Sequence, residues 1–304
     1  MSTAQSEQLA QAGWALIGAG NARGAANQFK SALAADAENT EAMAGLAQSH
    51  LNLDELDAAQ ETVDAVLRIA PNYAAAHRLR AEILRRRNLS YKAAEAARQA
   101  IALSPHEAIG YHILALCHSG RKEHQAAARI CDEGLAVAPA SAILLAQRAD
   151  NLLELSGGKA AEPDIAEALR INPGSDYVLR VAARVAVARN QLDRARDALS
   201  LVLRRNANDR EALSLYLLTE PRHRILRSLH LFRYWRKENG ALGWAAWLGV
   251  WAVFIALALP LALLTNVPGL FIGLGVGFFL KSRYAAHRNE VQAHFATFAL
   301  SGGF

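Results

Sequence analysis

The sequence predicts an all-α protein: a solenoid of six helix-turn-helix repeats, then a basic amphipathic helix and a two-helix membrane hairpin. Three observations predict it. Pro71, Pro105, Pro139 and Pro173 recur 34 residues apart, and the same step reaches Ala37 before them and Ala207 after. With each unit counted so that this proline is its position 32, position 20 reads Ala25, Ala59, Ala93, Ala127, Ala161 and Ala195. Finally, no charged residue occurs from Asn239 to Leu280. A period in this range marks stacked supersecondary units, because one unit cannot bury its own apolar face and must lean on the next.

The units run 6–39, 40–73, 74–107, 108–141, 142–175 and 176–209. Position 8 is small throughout, as Gly13, Ala47, Ala81, Ala115, Ala149 and Ala183. Position 28 is bulky, as Leu33, Leu67, Ile101, Leu135, Leu169 and Leu203. Two small columns, one bulky column and the closing proline resemble the tetratricopeptide repeat family, in which small residues at positions 8 and 20 let two helices pack closely. The resemblance covers residues 6–209. The copies are loose: the family's aromatic at position 24 survives as Phe29 and becomes Val63, Ala97, Cys131, Ile165 and Leu199, while position 11 turns polar as His50 and His118.

Each unit is expected to hold two antiparallel helices of about a dozen residues. Asp54 and Asn88 fall in turns within units, and Asn39, Asn72 and Asp209 stand where they can cap a following first helix. The fifth unit is unusual. Ser156, Gly157 and Gly158 loosen its turn, and Pro163 predicts that its second helix starts late or kinks. A further helix over 210–220, with Leu213, Tyr216 and Leu217 on the repeat phase, covers the open end of the stack until Pro221 stops it.

Residues 221–238 change character. Ile225, Leu226, Leu229, Phe232 and Trp235 fall on one side of a helix, with six Arg or Lys residues over much of the rest. This is a basic amphipathic helix suited to the headgroup layer. The hairpin follows over 239–284. Its uncharged stretch is 42 residues long, and a hydrocarbon core about 30 Å thick needs about 20 apolar residues per helix. Thr265 to Gly269 divide it into an ample first span and a short second one, and a hairpin that dips in and returns without a full crossing stays open beside two passes. Trp244, Trp247 and Trp251 share a face of the first span as interfacial anchors, and Pro260 kinks it. Gly269, Gly273 and Gly277, four apart, form a packing seam. Two readings of that seam stand: the glycines pack on the first span of the same hairpin, or on a second copy of the chain, giving a homo-oligomer. The tail over 285–304 is apolar enough to rest on the membrane.

Charge separates the two parts. Residues 222–304 hold nine Lys and Arg against two Asp and Glu, so the formal charge of +5 resides wholly there. The repeats are nearly neutral, which argues against nucleic acid as a partner. Basic residues lie on both sides of the uncharged stretch and none in its turn, so the positive-inside rule puts the repeats and the C-terminus in the cytoplasm of an integral membrane protein. The polar N-terminus lacks the pattern of a cleavable signal, in agreement. Cys117 and Cys131 suit neither a disulfide framework nor a metal site. His106-Glu107 lacks the second histidine of a zinc-peptidase helix, since position 110 is glycine. No phosphate loop or nucleophile elbow occurs, so neither an enzyme nor a cofactor is expected.

Binding remains. The family resemblance implies a concave groove lined by positions 2, 5, 9, 12 and 13 of each first helix. Here those positions supply Arg78, Glu82, Arg85 and Arg86 in the third unit, His112 in the fourth, Asp150 and Glu154 in the fifth, and Tyr177, Arg180 and Arg184 in the sixth. Alternating basic and acidic patches suit an extended protein or peptide partner whose carboxylates meet the arginines. For any one of these residues a pair within the array, such as Arg78 with Glu82 at i, i+4, is an equal reading. The lysine and asparagine set by which chaperone-binding members clamp a terminal carboxylate is absent. The sequence therefore predicts a scaffold that holds a partner at the cytoplasmic face of a membrane, with lipid contacted by the hairpin and basic helix. The alternative is a subunit of a membrane complex in which the hairpin oligomerises and the repeats regulate it.

Overall fold

The computed structural model describes residues 3–220 and 291–293. The amphipathic helix, the hairpin with its glycine seam and most of the tail lie outside the described residues. No helix among the described residues is long and apolar enough to cross a membrane.

Thirteen helices and no strand fill the described residues. The first helices of the units are α1 (Thr3–Gly18), α3 (Thr40–Asn52), α5 (Ala74–Arg86), α7 (Ala108–Gly120), α9 (Ala142–Ser156) and α11 (Asp176–Ala188). Their partners are α2 (Ala22–Ala35), α4 (Leu56–Ile69), α6 (Ser90–Leu103), α8 (His124–Val137), α10 (Gly158–Ile171) and α12 (Leu192–Arg205), followed by α13 (Arg210–Thr219). All six second helices start in one register, from Ala22 to Leu192 in steps of 34. The chain divides into two compact units, Met1–Leu144 and Leu145–Phe304, with the boundary inside α9.

The turn inside a repeat is a repeated device. Gly20, Asp54, Asn88, Lys122 and Asn190 occupy one repeat position and all adopt positive φ, between 57° and 76°. The residue after each returns its N–H to the carbonyl five residues back, for example Glu55 to His50 at 2.8 Å and Gln191 to Ala186 at 2.8 Å. That closure satisfies carbonyls the helix end would otherwise leave unpaired. Asp54 and Asn88 therefore close the helix before them.

In the fifth unit Ser156 remains helical and Gly157, at φ 90°, makes the turn one residue later. Consequently α10 starts on time, at Gly158, and Pro163 lies inside it rather than delaying it. Of the expected caps, Asn39 accepts from the Ala42 N–H at 2.9 Å, and Asp209 from Glu211 and Ala212 at 3.1 and 3.0 Å. Asn72 does not cap. It stands one residue early, and Tyr73 holds the position without a side-chain bond.

The small columns are packing positions. All six alanines at position 20 are fully buried. In Met1–Leu144 the one aromatic at position 24, Phe29, is fully buried and meets Trp14 edge-on at 5.4 Å. A Cβ added at Gly13 or Gly45 would come within 2.7 or 2.2 Å of its ring. Glycine there is what lets the ring in. In Leu145–Phe304 the core at the end of the array gathers Leu199, Val202, Leu203, Leu213 and Leu217, and Val291 packs against it. Gln292 donates its amide to Asn208 Oδ1 at 2.8 Å. Residues 291–293 of the tail thus lie on the repeats.

Candidate functional site

Within Met1–Leu144 the first helices pack in succession, α3 against α5 and α5 against α7. That juxtaposition gathers the third- and fourth-unit candidates. Glu82 accepts from Arg85 through Nε and Nη2 at 2.8 and 2.7 Å, and from Arg86 Nε at 2.9 Å. Arg86 also donates to the Leu51 carbonyl at 2.7 Å, tying α5 to the end of α3. Burial raises the Glu82 carboxyl, but the hydrogen bonds and charges of Arg85 and Arg86 together bring it below its ordinary value.

His112 on α7 is 6% exposed and faces both Glu82 and Arg85. Burial dominates and pushes its imidazole down to about 4, so it is neutral at physiological pH. Cys117, on the same helix and fully buried, has its thiol pushed up to about 11 by burial and remains protonated.

Arg78 stands apart from the expected i, i+4 pair with Glu82, whose oxygens go to Arg85 and Arg86. Its Nε is buried with no hydrogen-bond partner. Burial lowers the guanidinium pKa, against attraction from Glu107 and Tyr73. Both of these neighbours are N-cap residues whose side chains make no cap bond: Tyr73 begins α5 and Glu107 begins α7. Neither is among the groove positions read from the sequence, where Glu107 enters only beside His106. The signal was available, since position 34 of one repeat abuts position 5 of its neighbours.

Within Leu145–Phe304 the arginines are committed differently. Arg184 on α11 bridges to both Asp150 and Glu154 on α9, the latter at 3.0 Å. Arg180 donates to Asp209 Oδ2, the N-cap of α13, at 2.9 Å and lies 3.7 Å from Glu211. Tyr177 donates its hydroxyl to Gln147 Oε1, and Gln147 and Asn151 are fully buried polar residues of α9. The sixth-unit residues thus pair with the fifth-unit ones and with α13. Among the described residues no group of three or more His, Cys, Asp or Glu side chains is placed to hold a metal ion.

A tetratricopeptide repeat family model matches residues 16–83 and 158–217. The fold is similar to that of pilF of Pseudomonas aeruginosa, at 18% identity over 69% of this chain and 96% of that one, with a TM-score of 0.52. It is also similar to a tetratricopeptide repeat protein from Parabacteroides merdae, at 17% identity over 70% and 84% of the two chains, with a TM-score of 0.58. A third likeness is to PilW, a type IV pilus biogenesis factor, at 17% identity over 69% and 97%, with a TM-score of 0.54. At these identities the likeness is one of fold. No curated protein sequence matches the chain.

Proposed function

We propose that the chain is a tetratricopeptide repeat scaffold anchored in a membrane by residues 239–284, holding a protein or peptide partner against the inner face of its first helices. The binding half of this reading is carried by Arg78. A half-buried guanidinium whose Nε has no hydrogen-bond partner favours an arriving acceptor, because an unmet buried donor costs about 1–3 kcal/mol. A carboxylate of the partner supplies that acceptor in the charge-assisted form that arginine favours. Arg85, Arg86, Arg180 and Arg184 are held by carboxylates of the chain itself, so the partner's acidic group goes to Arg78 first. Glu82, His112, Asp150, Glu154 and Tyr177 shape the faces beside these arginines.

The membrane half rests on the 42 uncharged residues from Asn239 to Leu280 between basic flanks. It places the repeats and the C-terminus on the cytoplasmic side. Lipid is held by the hairpin and by the basic residues of 221–238. PilW shares the fold; its setting in type IV pilus biogenesis does not transfer at this distance.

The test is crosslinked capture with full-length protein in its membranes, beside Arg78→Glu. The expected result is one or more partners captured by the first and lost from the second. Identical catches would remove Arg78 from the site. A chain ended at residue 220 should leave the membrane fraction, and its retention there would remove the anchor.

A further inference from the structure

Position 16 of each repeat precedes the second helix, and position 18 lies in that helix's first turn. In five repeats both positions are polar or glycine, as Glu55 and Asp57 are in the second. The third repeat has Leu89 and Tyr91 instead, and neither is buried: Leu89 is 44% and Tyr91 77% exposed. Large apolar residues that depart from the repeat pattern without entering the core do no packing for the array. Leucine is also a poor N-cap, and Leu89 makes no cap bond to α6.

The tyrosine is nonetheless held. Arg121, in the turn of the fourth repeat, sits over its ring with the guanidinium carbon 4.7 Å from the centroid, and donates to the Ser90 carbonyl at 3.3 Å. Glu123 fixes that arginine, accepting at 3.0 and 2.9 Å. An aromatic ring ordered in advance and left open, beside an arginine, has the composition of a binding hot spot. Two exposed lysines adjoin the stacked pair, Lys92 after Tyr91 and Lys122 after Arg121. Among the described residues neither has an ion-pair partner.

We propose that this turn edge of the third and fourth repeats docks a protein segment that carries an apolar side chain between carboxylates. The apolar group covers Leu89 and the ring of Tyr91, and the carboxylates meet Lys92 and Lys122. Charge favours a protein over a lipid surface here. Exposed carboxylates interrupt the positive charge, Glu95 and Glu123 within the patch and Asp54, Glu55 and Asp57 on the same edge of the second repeat. An anionic bilayer is attracted by a broad cluster of basic residues, whereas a short segment meets two lysines and ends. The surface is distinct from the groove, since Arg78 lies near the start of α5 while Leu89 and Tyr91 lie beyond its end.

The test uses the purified full-length chain with Glu95→Cys, one turn beyond Tyr91, carrying an environment-sensitive dye; Cys117 and Cys131 are buried. The probe is a synthetic peptide with a central phenylalanine flanked by aspartates. It should give a saturable dye signal, and its affinity should fall about tenfold with Tyr91→Ala and by a similar factor with Lys92→Glu and Lys122→Glu together. Arg78→Glu should leave that signal unchanged. These positions are exposed, and an unaltered helical signal checks that each variant folds. Absence of saturable binding overturns the proposal, as does equal binding of a peptide with lysines in place of the aspartates. Peptide that binds by equilibrium dialysis without a dye signal, and is lost with Arg78→Glu, sits in the groove; the edge is then overturned while the groove reading stands. A dye shift produced by phosphatidylserine vesicles without peptide, and removed by the two lysine reversals, assigns the edge to lipid and also overturns the proposal.

Discussion

Arg78 and Arg180 occupy the same position of two repeats, one in each compact unit, and meet different fates. Arg180 faces Asp209, which caps α13 and takes the arginine at 2.9 Å. Arg78 faces Glu107 at the equivalent cap position of α7, where the side chain makes no cap bond, and the Nε of Arg78 stays unmet. One extra methylene in the carboxylate separates the two cases. Aspartate is short enough to hold the first-turn N–H groups and is thereby fixed beside its arginine, whereas glutamate is a poor N-cap and is not fixed. The closed register stabilises the array; the open one leaves a cation for something else. A related contrast runs through the neighbours, since Arg184 pairs with carboxylates of another helix while Arg85 pairs with Glu82 of its own.

The strongest way to break this distinction is Arg184→Met. Asp150 and Glu154 are 19% and 9% exposed at their side chains, and without Arg184 they lose their shared cation in a poorly hydrated place. Removing one partner from such a cluster should cost about 3 kcal/mol, read as a lower urea midpoint of the helical signal. A loss under about 1 kcal/mol would rank these bridges with ordinary surface pairs, and the two units would no longer differ in kind.

A steric counterpart belongs to the first unit. Gly13→Ala installs the residue that the other five repeats carry at that position, and alanine favours a helix interior by about 1 kcal/mol over glycine. It should nonetheless destabilise by about 2 kcal/mol, because the new Cβ would stand 2.7 Å from the Phe29 ring. Phe29→Val, the residue of the second repeat, should recover most of that loss in a double-mutant cycle. If the two substitutions are simply additive, the ring is not what requires the glycine.

These two predictions also mark what the sequence made legible. The 34-residue period yields the helical pairs, the buried alanines and the caps at Asn39 and Asp209, though not the one at Tyr73. It yields the turns at Asp54 and Asn88 but not the device they share with Gly20, Lys122 and Asn190, because the five have a left-handed conformation in common but no residue type, and a lysine gives no turn signal. Nor did it show that α10 starts in register with Pro163 inside it, after Gly157 makes the turn one residue later than elsewhere. The pairs among the candidate residues were not read from the sequence. Asp150 and Arg184 lie 34 apart, the spacing that makes residues neighbours in adjacent repeats, and opposite charges at that spacing could have been read as a bridge. Tyr73 and Glu107 were missed because a cap position belongs to no helix face.

Acid should act on the first unit through His112. Its imidazole titrates at about 4, below its ordinary 6.5, so the unfolded chain binds the proton more readily. Stability is therefore lost as pH falls from about 6.5 toward 4, amounting to roughly 2 kcal/mol at pH 5. Glu82 pulls toward protonation and Arg85 pushes against it, but burial is the larger effect. His112→Phe should flatten the difference between urea midpoints at pH 7.5 and pH 5 relative to the unaltered chain. An unchanged difference would assign the acid sensitivity to other groups.

The smallest change is the most direct one, because it converts one register into the other. Glu107→Asp gives α7 the cap that α13 already has, and a fixed aspartate there would meet Arg78 as Asp209 meets Arg180. A side-chain cap is worth about 1 kcal/mol, so stability should rise by up to that amount. The reciprocal Asp209→Glu should lower it by a similar amount by freeing Arg180. Capture of an acidic partner should move the other way, weakening with Glu107→Asp because the chain then supplies its own carboxylate to Arg78. Stability measured by urea midpoint and capture measured on the same pair of variants separate the two consequences. If Glu107→Asp stabilises the array yet leaves capture intact, the open arginine is a packing accident rather than a binding group.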